Sequence, residues 1–113
     1  MAELVTTGIW TVSPTKEAAF IEAWTAFAAW ASSMPGAGAL RLERDTGDVL
    51  RFVSYGTWDS VGAVRAWKSA PEFRERIAQV LQYVDDFQPS ELDVVTCVDG
   101  SRAVADLVRA GAK

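Results

Sequence analysis

Apolar residues recur along this chain with two different periods, and the changes of period mark its elements. Leu4 to Val12 is rich in Val, Ile, Thr and Trp, which predicts a strand. Ser13-Pro14-Thr15 stops it, with Ser13 placed to cap a helix and Pro14 in its first turn. Phe20, Trp24, Phe27 and Ala31 follow at spacings of four, three and four, which is one helical face, and the helix is expected to end near Ser33. Glu17, Glu22 and Thr25 lie off that face. Met34-Pro35-Gly36-Ala37-Gly38 then turns the chain. Leu40 to Arg44 alternates apolar and charged residues, the pattern of a half-exposed strand. Asp45-Thr46-Gly47-Asp48 reads as a hairpin turn in which Gly47 is free to take positive φ, and Leu50 to Trp58 as the returning strand.

Asp59 or Ser60 caps a short helix carrying Val61, Val64 and Trp67. Ser69-Ala70-Pro71-Glu72 breaks and restarts it, with Ser69 and Glu72 spaced as a capping box. Phe73, Ile77, Val80, Leu81 and Val84 give the restarted segment a buried stripe. Gln88-Pro89-Ser90 is expected to turn the chain into a last strand, Leu92 to Val98. The order is β-α-β-β-α-β, an α+β fold of the split βαβ kind, with a four-stranded antiparallel sheet covered by helices on one face. Residues 1–98 make up this domain. Residues 99–113 form a tail in which Val104, Leu107 and Val108 line a short helix that packs on the body or on a partner.

The uncovered face of such a sheet would be polar in a monomer. Val5, Ile9, Val53, Tyr55 and Val95 fall on it instead, and apolar patches of this kind mark interfaces. Packing against the same face of a second copy closes a two-fold homodimer. The competing reading folds the tail over this face, but Ser101 to Ala110 is too short to cover four strands.

The chain has 113 residues, half of them hydrophobic and 23% charged, the balance of one globular domain. The net charge of −4 without a basic run argues against binding nucleic acid. No Lys/Arg cluster flanks an apolar face and no run approaches the ~20 apolar residues of a bilayer span, which argues against a membrane partner. Met1 to Val5 lacks the pattern of a signal peptide, so a cytoplasmic location is expected. Cys97 is alone, which excludes an internal disulfide and a thiolate metal site, and is read as a small buried hydrophobe. Histidine and asparagine are absent, whereas tryptophan occurs five times. Without histidine the usual general base near neutral pH is missing. Arg41, Glu43 and Arg51 are read as solvated or paired charges, and Asp85-Asp86 as solvated carboxylates in a turn.

Three stretches together resemble the antibiotic biosynthesis monooxygenase family of ferredoxin-like, dimeric α/β-barrel proteins. They are Val12-Ser13-Pro14-Thr15-Lys16-Glu17-Ala18-Ala19-Phe20, Pro35-Gly36 before a strand ending Arg44-Asp45, and Phe52 to Ser60 continuing through Trp67 to Ser69-Ala70-Pro71-Glu72-Phe73. The resemblance implies a sheet-to-sheet homodimer with a pocket in each subunit between helices and sheet. Members of that family oxidise polycyclic phenols with molecular oxygen and no cofactor, degrade haem, or have no known activity, and the resemblance implies one of these. Relatives often carry histidine where this chain has Trp67, and haem-degrading relatives ligate iron through histidine, so neither haem, another cofactor nor a metal is expected. The expected function is that of a cofactor-independent monooxygenase-like protein binding an aromatic molecule. The alternative is a binding or structural homodimer without catalysis. Trp24, Phe27, Trp67 and Phe73 are the candidate pocket walls, and Trp58, Tyr55 and Arg51 the candidate polar contacts. Each has a competing reading as core or, for Tyr55, as interface, and Tyr55 and Arg51 should point away from Trp58 by strand alternation. Trp30, at the edge of its stripe, is read as a rim or interface residue. No residue can be assigned as catalytic from the sequence.

Overall fold

Alternation fixes how the central strand lies. In β1 (Leu4–Val12), Leu4, Thr6, Gly8, Trp10 and Val12 are buried while the residues between them are half-exposed. The computed structural model of the protein describes residues 4–98. It continues with α1 (Glu17–Ala31), β2 (Ala37–Asp45), β3 (Asp48–Trp58), α2 (Val61–Ser69), α3 (Phe73–Leu81) and β4 (Val84–Asp93). The four strands form one antiparallel sheet in the order β2-β3-β1-β4, with β1 paired to β3 and β4 and β2 paired to β3. This is the predicted split βαβ arrangement, with the second helical segment present as two separate helices. The expected tail helix falls outside the described residues. No helix among those described is long and apolar enough to cross a membrane.

The first-helix stripe holds as read: Phe20, Trp24, Phe27 and Ala31 are buried, joined by Ala28. Its start differs. Lys16 occupies the cap position without a side-chain bond, and Ser13 Oγ donates to Asp85 Oδ1 at 2.6 Å instead. The carboxylate 72 residues away competes successfully for the hydroxyl because β4 brings it alongside the end of β1. Ser60 does cap α2, accepting the Ala63 N–H at 3.1 Å. The expected capping box is absent: Ser69 Oγ donates back to the Arg65 carbonyl at 2.7 Å, and Glu72 caps nothing with its side chain.

Two turns also differ from expectation. Gly47 does not adopt positive φ; its N–H donates to Asp45 Oδ1 at 2.7 Å, closing the hairpin through a side chain. That bond, with the Arg51 guanidinium at 2.9 Å, holds the Asp45 carboxyl below the usual carboxylate range. The glycine that does need left-handed backbone is Gly36, at φ 84°, where an added Cβ would lie 2.7 Å from that of Ala63. Arg51 and Arg41 are paired, to Asp45 and to Glu43 at 3.2 Å.

The largest correction concerns β4. Val84 begins this strand rather than extending a helical stripe, and Gln88-Pro89-Ser90 lies inside it rather than in a turn. Proline is tolerated there because β4 is an edge strand, so its missing N–H leaves no ladder position unfilled on the outer side. The strand ends at Asp93, and Val94 to Val98 lie outside the sheet. Val95 and Val98 are therefore exposed, and Val95 does not belong to the open-face patch. Leu92, paired with Val5, takes its place beside Ile9, Val53 and Tyr55. Cys97 is exposed as well, because the strand that was to bury it has already ended.

Aromatic rings dominate the core on the helical face. Trp10 stacks on Phe87 at 3.9 Å between ring centroids, and Trp58 on Trp67 at 4.7 Å. Phe20 bridges Trp10 and Phe52 at 5.5 and 5.1 Å. Such pairs add about 0.5–1.5 kcal/mol each beyond the area they bury. Trp30 is half-buried at the helix margin, against Phe27 and Phe73 and under the Arg76 guanidinium, 5.2 Å from its ring.

Candidate functional site

The inner rows of β1 and β3 are not uniformly large and apolar. Thr6 and Gly8 interrupt the first, and Ser54 and Gly56 the second. Register places Thr6 opposite Gly56 and Gly8 opposite Ser54, so four small residues meet at the centre of the sheet. Above them lies a cavity of about 250 Å³, enclosed by Trp24 and Phe27 from α1, Trp67 from α2 and Phe73 and Ile77 from α3. Leu40, Trp10 and Phe87 close its ends. The glycines are needed: a Cβ on Gly8 would stand 2.7 Å from the Phe87 ring, and one on Gly56 would stand 2.9 Å from Thr6 Oγ1.

The wall is almost wholly apolar, and two of its hydroxyls are ordered by indoles. Trp58 Nε1 donates to Thr6 Oγ1 at 3.0 Å, and Trp10 Nε1 donates to Ser54 Oγ at 2.9 Å. Each hydroxyl is thereby held as an acceptor and retains its own proton for donation. The Trp67 Nε1 is different. Among the described residues it is the buried side-chain polar atom without a hydrogen-bond partner. An unsatisfied buried donor costs on the order of 1–3 kcal/mol, a penalty that a bound acceptor would remove. Thr6, Ser54 and Trp67 all belong to the lining of this apolar site. Among the lining residues there is neither a carboxylate nor an imidazole.

Of the residues singled out from the sequence, Trp24, Phe27, Trp67 and Phe73 meet at this cavity, with Phe73 5.8 Å from Phe27 and 5.1 Å from Trp67. Tyr55 borders it from the strand but shares its row with Thr7 and Arg41, whose guanidinium carbon lies 5.6 Å from the ring, on the open side of the sheet. Trp58 stands behind the wall, stacked on Trp67. Sequence reading missed Thr6, Ser54 and the glycines, although polar and small residues on a core-facing row are the signal of a cavity floor. It also missed Phe87 and Pro89, because their strand was misplaced.

At the rim, Lys68 Nζ donates to Glu91 Oε2 at 2.9 Å, joining α2 to β4. The Lys68 bond holds the Glu91 carboxyl below its ordinary range, desolvation opposes this, and the charges of Lys68 and then Arg65 add to the lowering. No cluster of three His, Cys, Asp or Glu side chains able to hold a metal occurs among the described residues.

With this geometry, the chain matches the model of the antibiotic biosynthesis monooxygenase family over residues 5–79, and it belongs to that family. Among solved structures it is similar to a variant of SnoaB, a cofactor-independent oxygenase from Streptomyces nogalater. The two are 17% identical with a TM-score of 0.80, over 87% of this chain and 98% of that one. A proposed antibiotic biosynthesis monooxygenase from Deinococcus radiodurans is 15% identical with a TM-score of 0.76, over 86% and 97%. One from Chloroflexus aurantiacus is 22% identical with a TM-score of 0.69, over 86% and 97%. At these identities the likeness extends to the fold. No curated protein matches the chain by sequence.

Proposed function

We propose that the protein is a cofactor-independent monooxygenase acting on a flat aromatic molecule held in the tryptophan-walled cavity. The observation that carries this reading is an almost wholly apolar cavity walled by Trp24, Phe27, Trp67 and Phe73. The cavity volume lies just below the ~300–1,000 Å³ of typical ligand sites, which suits two or three fused rings rather than a larger scaffold. Since the lining offers no carboxylate or imidazole, the substrate must be acidic enough to ionise with little help. An anthrone-like methylene flanked by conjugated rings meets that condition. Its proton goes to solvent, and the negative charge spreads onto the carbonyl oxygen. Trp67, Thr6 and Ser54 donors stabilise that oxyanion. The carbanion gives one electron to dioxygen, the radical pair combines to a carbon–oxygen bond, and the hydroperoxide loses water to leave a ketone. One dioxygen is consumed and one water released per methylene oxidised.

An oxygen electrode with anthrone checks this: uptake above the spontaneous background is expected, reaching one dioxygen per substrate. Ligand binding without protein-dependent uptake would instead support a non-catalytic binding protein, the reading that the missing base favours.

The homodimer belongs to the same proposal. Val5, Ile9, Val53, Tyr55 and Leu92 form a patch on the sheet face opposite the helices, fringed by Arg41, Glu43 and Gln88. Burying it against its own copy would close the barrel that the resemblance implies. Light scattering is expected to return twice the chain mass, and Val53→Lys to return the monomer. A monomeric wild-type protein would refute the dimer.

A further inference from the structure

The exposed residues of the cavity lining mark its mouth. Leu81 and Pro89 are exposed, and Lys68, Ile77 and Phe87 are half-buried. The opening therefore lies between α2–α3 and the edge strand β4. The stripe of α3 fits this: Val80 is fully buried, whereas Phe73, Ile77 and Leu81 line the cavity and its entrance. The Lys68–Glu91 pair bridges this opening.

Charge at the mouth runs against the charge of the chain. The protein carries a net −4, yet a shallow depression that shares Lys68, Phe73 and Ile77 with the cavity adds Arg74 to the rim. Arg65 lies near enough to act on Glu91 from the same helix as Lys68. Lys68 and Arg65 thus both act on the one carboxylate hydrogen-bonded there, and Arg74 lines the adjoining depression. An ammonium has three donors, and Lys68 spends one on Glu91. A second oxyanion can be taken without breaking the first bond. Lys68 also belongs to the lining itself, so its stem borders the apolar wall while its head stands at the rim. Its side chain is 31% exposed, so a charge bound there is only partly screened by salt.

We propose that Lys68 selects aromatic ligands that carry a carboxylate, seating the acid group at the mouth while the rings enter between Trp67, Phe27 and Phe73. This rests on the cavity being the ligand site. It names the ligand as an aromatic acid and Lys68 as its specificity determinant.

Calorimetric titration with naphthalene-2-carboxylate and the uncharged 2-naphthylmethanol tests the assignment. The wild-type protein is expected to bind the acid about tenfold or more tightly than the alcohol, the effect of one charge-assisted hydrogen bond. In Lys68→Met the acid's affinity falls to that of the alcohol, and Lys68→Arg, which keeps the charge, retains the preference. Glu91→Gln, which frees the ammonium, increases it. Equal affinities in the wild type, or a preference that survives in Lys68→Met, overturn the proposal. Alcohol binding without preference leaves the cavity as the ligand site and removes only the role of Lys68. Binding of neither probe removes both.

Discussion

Trp58→Ala is expected to destabilise the domain by about 3–5 kcal/mol, the range for truncating a fully buried aromatic. Trp58 is 2% exposed and ends β3, where register sets it against Leu4 on one side and Ala37 on the other. Its ring is stacked on Trp67, and its N–H is bonded to Thr6. Truncation therefore opens a void under the cavity wall, releases Trp67 from its stack and leaves the Thr6 hydroxyl without its donor. Trp58→Phe keeps most of the stacking and loses the bond, so a smaller loss of about 1–2 kcal/mol is expected from that variant. Urea denaturation followed by circular dichroism measures both. A loss under about 2 kcal/mol for Trp58→Ala would mean that the neighbouring helices collapse into the space, and that the indole does not set the wall's position.

Trp67→Phe should do the reverse, separating stability from function. The phenyl ring retains contact with Trp58, Phe27 and Phe73, while the unpartnered N–H disappears. Removing an unsatisfied buried donor relieves its desolvation penalty while the smaller ring loses packing, so the two effects offset and stability is expected to change by no more than about 1 kcal/mol. If the N–H holds the substrate oxyanion, anthrone oxidation should fall about 10- to 100-fold, the weight of one donor in a water-poor site. A variant that is as stable as the wild type and as fast in oxygen uptake would show that Trp67 is only a plug. A loss of more than about 2 kcal/mol would show that packing of the full indole, and not its N–H, dominates at this position.

Much of this architecture is legible in the residues, and the failures have physical causes. The α1 stripe and the Leu50–Trp58 strand are read correctly because each has a period that tertiary contacts reinforce. The second half is read less well. Val84 continues the apolar spacing of α3 by coincidence, and Pro89 resembles a turn signal because nothing local reveals that its strand is an edge. Once β4 is displaced, Phe87 leaves the predicted core, Val95 is wrongly set on the open-face patch and Cys97 is wrongly read as buried. Caps fail for a related reason. Ser13 and Ser69 have nearer or stronger partners than the helix ends, namely Asp85 across the sheet and the Arg65 carbonyl one turn back. Four of the candidate site residues meet at the cavity because aromatic residues on core-facing stripes converge wherever a core forms. The floor is harder to see. Thr6, Gly8, Ser54 and Gly56 acquire meaning only when the pairing of β1 with β3 brings them together.

That pairing also governs the order in which the molecule can be assembled. β1 is made first of the four strands and lies inside the sheet, yet both of its partners come later, and Leu4 must wait for Asp93. The β2–β3 hairpin, joined through Thr46-Gly47, is a local contact and can form early. While the chain is emerging from the ribosome, β1 therefore has one side unpaired until nearly all of the described residues exist. Phe87, the ring that covers Trp10, is synthesised after the other aromatic rings of the core. Until then a tryptophan-rich interior stays open to water and to other chains, so the interval before β4 docks is when a nascent copy is most exposed to mispairing and to capture by chaperones.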